Sequence, residues 1–181
     1  ARIHTAIANP FFSVGVQADL MNSDINALYI SQSGIMMGDR DYYLDPENEN
    51  IRTAYKEYLG KLFRLGGVPE ADIEKAVAGV MNIETKLAEK SWSNTELRDI
   101  PAQYNPTAKA EFEKTYDAID WPVYYKAMGI GDFDTIIVTT KSSIANANDL
   151  MKNAPLEDIR YYLAAQYICL LYTSPSARDY A

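Results

Sequence analysis

Ile51-Arg52-Thr53-Ala54-Tyr55-Lys56-Glu57-Tyr58-Leu59-Gly60-Lys61-Leu62-Phe63-Arg64-Leu65, followed by Gly66-Gly67-Val68-Pro69-Glu70, is the stretch from which the fold is read. Ile51, Tyr55, Tyr58, Leu62 and Leu65 recur at spacings of four and three, which is one stripe of an α-helix. Asp45-Pro46 supplies its start, because proline's fixed φ and missing N–H suit a first helical turn, and Gly66-Gly67 supplies its stop. A second helix is predicted from Pro69. Glu70 and Asp72 lie near the positive end of its dipole, and Ile73, Val77, Val80 and Leu87 share one face. The short glycine-containing connection predicts an antiparallel pair.

Glu84 falls on the apolar face of that second helix, between Val80 and Leu87. A carboxylate buried there without a partner would cost on the order of several kcal/mol, so a cation or a backbone donor is expected beside it, with Arg98 or Arg40 the cationic candidates by type. The competing reading places Glu84 at the edge of the stripe, in water.

Working outward, Phe11 to Gln17 alternates loosely, Asp19 to Asp24 is rich in turn residues, and Asn26 to Gln32 is again strand-like, which predicts a β-hairpin. Gly34 to Asp45, with Gly34, Gly38 and the run Asp39-Arg40-Asp41-Tyr42-Tyr43-Leu44, reads as an ordered loop. Downstream, Asn105-Pro106-Thr107 is expected to start a short helix through Phe112 and Tyr116. Asp120-Trp121-Pro122 should start another that ends near Gly129. Asp134 to Thr139 is a β-branched run expected to be extended. Ser142 to Lys152 and Pro155 to Ile168 read as two further helices, the second with Ile159, Tyr162, Leu163 and Gln166 at helical spacing. The fold class is mainly α, a helical lobe with a small β-hairpin near its start.

A hydrophobic share of 48% over 181 residues is enough for a real core. The net charge of −8, with no cluster of Lys or Arg, disfavours nucleic acid and anionic membranes as partners. No apolar run is long enough for a membrane span. The beginning at Ala1, with neither initiator Met nor a signal pattern, is expected to lie inside a longer polypeptide. One cysteine, Cys169, and one histidine, His4, leave no Cys/His set for a metal and no nucleophile-histidine pair away from the terminus. No catalytic residue and no metal ligand is therefore expected in this chain.

Other candidates reduce to structure. Gly34 and Gly38 are too few and wrongly spaced to cradle a phosphate. Asp39 and Asp41 could do acid-base work, yet flanking Arg40 they more simply hold a loop by ion pairing. Among the tyrosines, Tyr55, Tyr58 and Tyr162 lie on helical stripes and belong in a core, which leaves Tyr42, Tyr43, Tyr124 and Tyr125 for a surface.

The segment Leu28-Tyr29-Ile30-x-Gln32-x-Gly34-Ile35, then Asp39-Arg40-Asp41-Tyr42-Tyr43-Leu44, then Ile51-Arg52-x-x-Tyr55, resembles the neprilysin-like zinc metallopeptidases. The likeness continues through Glu84-x-x-Leu87-Ala88, Arg98-Asp99, Tyr104-Asn105-Pro106-Thr107, Asp120-Trp121 and Tyr162-Leu163. It spans about residues 9 to 168. The branch it most resembles is the bacterial oligopeptidase type, akin to the endothelin-converting enzymes but without the cysteines usual in animal ectoenzymes.

The resemblance implies a piece, cut at both ends, of the N-terminal lobe that closes over a thermolysin-like catalytic lobe and gates the cleft of an endopeptidase acting on oligopeptides. It implies that zinc and the catalytic residues belong to the absent lobe, because the chain contains no His-Glu-x-x-His. The expected partners are that lobe and, through the whole enzyme, peptide substrates. The expected location is extracytoplasmic. The residues expected to face the cleft are Asp39, Arg40, Asp41, Tyr42 and Tyr43, with Arg40 bracing the loop, while Glu84 and Arg98 are expected as structural polar residues. Residues 1–168 form the lobe fragment. The run from Cys169 to Ala181, containing Tyr172-Thr173-Ser174-Pro175-Ser176-Ala177-Arg178-Asp179, reads as translated sequencing adapter and not as native protein, the rival reading being a genuine helix end followed by a Pro-Ser linker. The alternative function is a free-standing helical interaction module with a tyrosine-rich docking face.

Overall fold

Seven residues of loosely alternating polarity and an aspartate-led turn make the first hairpin. In the computed structural model, which describes residues 9–173, β1 (Phe12–Ala18) and β2 (Asn26–Gln32) pair antiparallel with Phe12 opposite Gln32 and Ala18 opposite Asn26. Asp19 Oδ1 accepts the Met21 and Asn22 amides at 2.8 and 3.1 Å, satisfying donors that the reversal of the chain leaves free. The chain divides into two compact units: residues up to Gly34 with Lys90–Lys152, and Ile35–Glu89 with the residues from Asn153 onward.

In the first unit the hairpin is half of a sheet. β3 (Pro106–Ala108) and β4 (Thr135–Val138) complete the order β1-β2-β4-β3, with β2 and β4 parallel and β3 and β4 antiparallel. Ile136, Ile137 and Val138 are all buried, as the unbroken β-branched run of a strand covered on both faces should be. The expectation of a helix starting at Asn105 is corrected here. Pro106 pairs opposite Ile137 instead, and α4 (Lys109–Thr115), which follows α1 (Asp41–Leu44), α2 (Glu49–Leu65) and α3 (Glu70–Lys90) of the second unit in the chain, begins only at Lys109. Pro106 lacks the N–H that a central strand would need, so it suits an edge.

α5 (Trp121–Met128) follows the reading closely. Asp120 accepts the Val123 amide as N-cap, Pro122 occupies the first turn, and Gly129 closes the helix at φ +69°, a conformation that costs glycine nothing. Trp121, Tyr124 and Tyr125 recur at three and four residues and all turn inward. Trp121 packs against Phe12 and Phe112 at ring-centroid distances of 5.5 and 4.7 Å, and its indole N–H donates to the Tyr116 carbonyl. α6 (Lys141–Asn153) buries Ile144, Ala147 and Leu150. Gln32 ties its start to the sheet: its side chain accepts from the Trp92 amide and Ser143 hydroxyl and donates to the Trp92 carbonyl.

The second unit is a helical bundle. α1 (Asp41–Leu44) is a four-residue helix inside the stretch expected as loop, and α2 (Glu49–Leu65), α3 (Glu70–Lys90) and α7 (Leu156–Thr173) are long. Arg64 pairs with Glu70, Gly60 approaches Ile73, and Tyr55 bonds Glu84, so numbers rise on α3 as they fall on α2 and the pair is antiparallel. The face of α2 is rotated from the one expected. Tyr55, Leu59, Leu62 and Phe63 are buried, whereas Tyr58 and Leu65 are 42% and 64% exposed. Tyr55, Leu59, Leu62 and Phe63 lie at i, i+4, i+7 and i+8, which keeps to one side of a 3.6-residue helix better than the stripe through Tyr58. α7 runs past Ile168 through Cys169 to Thr173. It packs on α2 through Phe63 and Tyr161, and on α3 at Gly79 and Asp158.

Candidate functional site

The residues singled out from the sequence at 39–43 lie at the start of the second unit, and their side chains divide. The Asp39 carboxylate accepts the Asp41 amide at 3.0 Å, so it serves the turn that leads into α1. Arg40 supplies the carbonyl that receives the Tyr43 and Leu44 amides, starting that helix. Asp41 is exposed and Tyr42 is 38% exposed. Tyr43, expected on the surface, is 4% exposed. Its hydroxyl donates to Glu84 Oε2 at 2.7 Å and accepts the Met37 amide at 3.1 Å, so the side chain fastens both ends of the loop to the bundle.

Arg52 is a residue that the sequence reading missed. Its Nη1 donates to the Tyr42 and Asp45 carbonyls at 3.1 and 2.6 Å, while Nε and Nη2 hold Glu49 Oε2. The planar guanidinium suits this bridging of carbonyls and a carboxylate at once. Its place in Ile51-Arg52-x-x-Tyr55 gave a sign of importance, but nothing local showed that it would reach back ten residues.

Glu84 is fully buried, and among the described residues its side chain accepts hydrogen bonds from two tyrosines: Tyr43, and Tyr55 at 2.8 Å. The expectation of Arg40 or Arg98 as its partner is thus corrected, and so is the reading of Glu84 in water. Arg98 is exposed, in a short 3-10 turn of the first unit. Burial pushes the Glu84 carboxyl up to about 7, against the pull of the two hydroxyls and the Met36 backbone amide. Its Oε1 makes no hydrogen bond among the described residues. Burial and the neighbouring carboxylate in turn raise the Tyr43 and Tyr55 hydroxyls. Two hydroxyl donors solvate one carboxylate oxygen where a cation would have had to be desolvated as well. No substrate can reach Glu84, so its chemistry is that of a buried fastening.

Tyr124 and Tyr125, also expected on a surface, are 2% and 5% exposed, and Tyr125 packs edge-on to Phe133 at 4.9 Å. Among the described residues no group of three His, Cys, Asp or Glu side chains could hold a metal ion, so these residues do not fit a zinc site; His4 lies outside the described residues. No described helix is long and apolar enough to cross a membrane. Two shallow grooves of about 510 and 620 Å³ run along the outer faces of α2 and α3, sharing Lys56, Glu74 and Val77. A third, of about 330 Å³, lies over the sheet of the first unit, beside Gln17, Tyr29 and Tyr104.

Residues 1–179 match the family described as Peptidase family M13. Rat endothelin-converting enzyme 1 is 34% identical over 153 residues, covering 80% of this chain and 20% of that protein. The neutral endopeptidase of Lactobacillus helveticus is 23% identical over 157 residues, covering 87% and 24%. Among solved structures, the zinc metalloprotease Zmp1 of Mycobacterium tuberculosis in its open state superposes with a TM-score of 0.86 at 22% identity, over 98% of this chain and 28% of that one. PepO from Lactobacillus rhamnosis superposes with a TM-score of 0.71 at 18% identity, over 98% and 29%. The chain spans about a fifth of the length of the curated relatives it matches.

Proposed function

Because the chain belongs to peptidase family M13, we propose that it is part of the N-terminal lobe of a zinc-dependent endopeptidase that cleaves oligopeptides. In this reading it shapes and gates the cleft, and the zinc and the catalytic residues belong to the remainder of the longer protein. The observation that carries it is the match over residues 1–179, supported by 34% identity to a converting enzyme over 80% of the chain. The absence of His-Glu-x-x-His from the sequence assigns no catalytic role to this piece. Asp39, Arg40, Asp41 and Tyr42 are the candidates to face peptide, with Tyr43 and Arg52 holding their backbone in place. The partners are the catalytic lobe and peptide substrates, and the location is extracytoplasmic. No observation favours the alternative of a free-standing interaction module.

The test is cleavage of a panel of peptides of about five to forty residues by the full-length protein, with and without a zinc chelator, beside the 181-residue chain alone. Chelator-sensitive cleavage by the full-length protein and none by the chain is expected. Cleavage by the chain alone, or none by the full-length protein with zinc restored, would overturn the reading.

A further inference from the structure

The two edges of the sheet are built differently. β3 is three residues long and begins with Pro106, which blunts it as natural edges usually are. β1 is seven residues long, Phe12-Ser13-Val14-Gly15-Val16-Gln17-Ala18, without a charge or a proline, and the order β1-β2-β4-β3 puts it at the rim. Its far half, from Gly15 to Ala18, is exposed at every position, so neither face is covered there. Val16, Met21 and Ile25 are 61%, 74% and 54% exposed around it.

The backbone groups of this rim can be assigned. The Asp19 amide donates to the Ile25 carbonyl at 2.9 Å, which makes that pair a hydrogen-bonded one. By the alternation of an antiparallel ladder, Gln17 and Gly15 turn their backbone groups towards β2, while Val16 and Val14 turn theirs away from it. On the face that carries Gly15 and Gln17 lies the groove of about 330 Å³, with Tyr29, Ser31, Gln103 and Tyr104 along it. A Cβ on Gly15 would meet nothing within 4 Å, so the face of the strand beside the groove is open there. The Tyr104 hydroxyl holds the Asp19 carboxylate at 3.1 Å and fixes the groove's wall.

We propose that this rim of β1 binds an oligopeptide as an added strand, pairing with the outward groups of Val14 and Val16 and placing one side chain in the groove. An extended backbone is the ligand that answers a row of alternating donors and acceptors, and an adjoining pocket is how such strand addition gains selectivity. Asp24 is exposed at the turn, and the chain's net charge of −8 adds to its field, so a neutral or basic peptide is favoured. The proposal rests on the endopeptidase reading for its choice of a peptide from solution as occupant.

The experiment is amide hydrogen exchange on the full-length protein, with zinc chelated so that peptide persists, using a basic, apolar peptide of about ten residues. The Val14 and Val16 amides are expected to exchange freely without peptide and about tenfold more slowly at saturation. Val16→Pro, which removes one outward donor, is expected to raise KM for this peptide about tenfold with kcat unchanged and to abolish the protection, whereas Val16→Thr preserves both. Three outcomes overturn the proposal: protection already present without peptide, which means that a segment of the same polypeptide covers the rim; protection that grows with protein concentration alone, which means a second copy; and cleavage with no protection at all. Failure to cleave would sink the endopeptidase reading instead, and peptide-dependent protection in that case would still uphold strand addition.

Discussion

The Tyr55 hydroxyl donates to Glu84 Oε2 at 2.8 Å in a site that water does not reach, so two successive helices are joined by a carboxylate whose charge is costly. Burial is the larger effect. The carboxyl is pushed from its ordinary 4.5 up to about 7. A folded-state value above the unfolded one means that the folded protein binds the proton more tightly. The stability contributed is fully present below about pH 4.5 and is lost as pH rises towards 7. For a shift of this size the loss is on the order of 3 kcal/mol. Urea unfolding of the protein and of Glu84→Gln at a series of pH values checks it. The stability of the glutamate form relative to the glutamine form should fall by that order between pH 4.5 and 7.5. A constant difference would show that Glu84 titrates normally.

Tyr43 and Tyr55 share that one oxygen, which predicts coupling. Tyr43→Phe and Tyr55→Phe should each destabilise by about 1–2 kcal/mol, a hydrogen bond to a buried charged group. Each should also push the Glu84 carboxyl further up, because a donor to its charged form is gone. In the double variant the two losses should differ from their sum by at least about 0.5 kcal/mol, since the remaining hydroxyl takes over part of the solvation. Simple additivity at pH 8 would mean that the two hydroxyls act independently.

How far this was legible follows the range of the interactions. The hairpin, α5 and the long helices rest on periodicity and on caps such as Asp120 and Gly129, which are local, and the sequence carried them. The partners of Glu84 lie 41 and 29 residues away in the chain, and residue type alone suggested a cation or a backbone donor where the fold supplies hydroxyls. Pro106 reads as a helix start until the pairing with β4 is known, because its signal is the same at a strand edge. Tyr124 and Tyr125 sit on a helix that was expected, but what covers them, Phe12 from the hairpin and Phe133 from the following loop, depends on the tertiary fold. Arg52 was quoted in the likeness to the peptidases, yet its grip on the Tyr42 and Asp45 carbonyls depends on the loop folding back over α2.

Asp120 offers a local test in the first unit. Its carboxylate accepts the Val123 amide at 3.0 Å, and its backbone is extended, as an N-cap residue should be. Asp120→Ala should cost about 1 kcal/mol, and Asp120→Asn or Asp120→Ser much less. Because Trp121 is the first residue of α5 and stands in the aromatic cluster with Phe12 and Phe112, fraying there should be visible in tryptophan fluorescence before global unfolding. An alanine variant with unchanged midpoint and emission would remove the cap from the account.

Gly79 tests a close helix approach in the second unit. A Cβ there would stand 3.2 Å from the Asp158 backbone Cα and 3.1 Å from its Oδ1, so relief requires α3 and α7 to move apart. Alanine is the better helix former by about 1 kcal/mol, which on an open face would make Gly79→Ala stabilising. Here the overpacking, typically about 1–3 kcal/mol, opposes that gain, and the neighbour is backbone, which cannot rotate away. The bond from Asn82 Nδ2 to Asp158 Oδ2, at 2.6 Å, would be stretched by the same displacement. Net destabilisation of about 1–2 kcal/mol is therefore expected on denaturant unfolding. The companion substitution Asn82→Ala should lose much of its own effect in the Gly79→Ala background, because the separation has already weakened that bond. A stabilised Gly79→Ala protein would mean that α7 is free to shift, and that the contact at Asp158 does not hold the bundle.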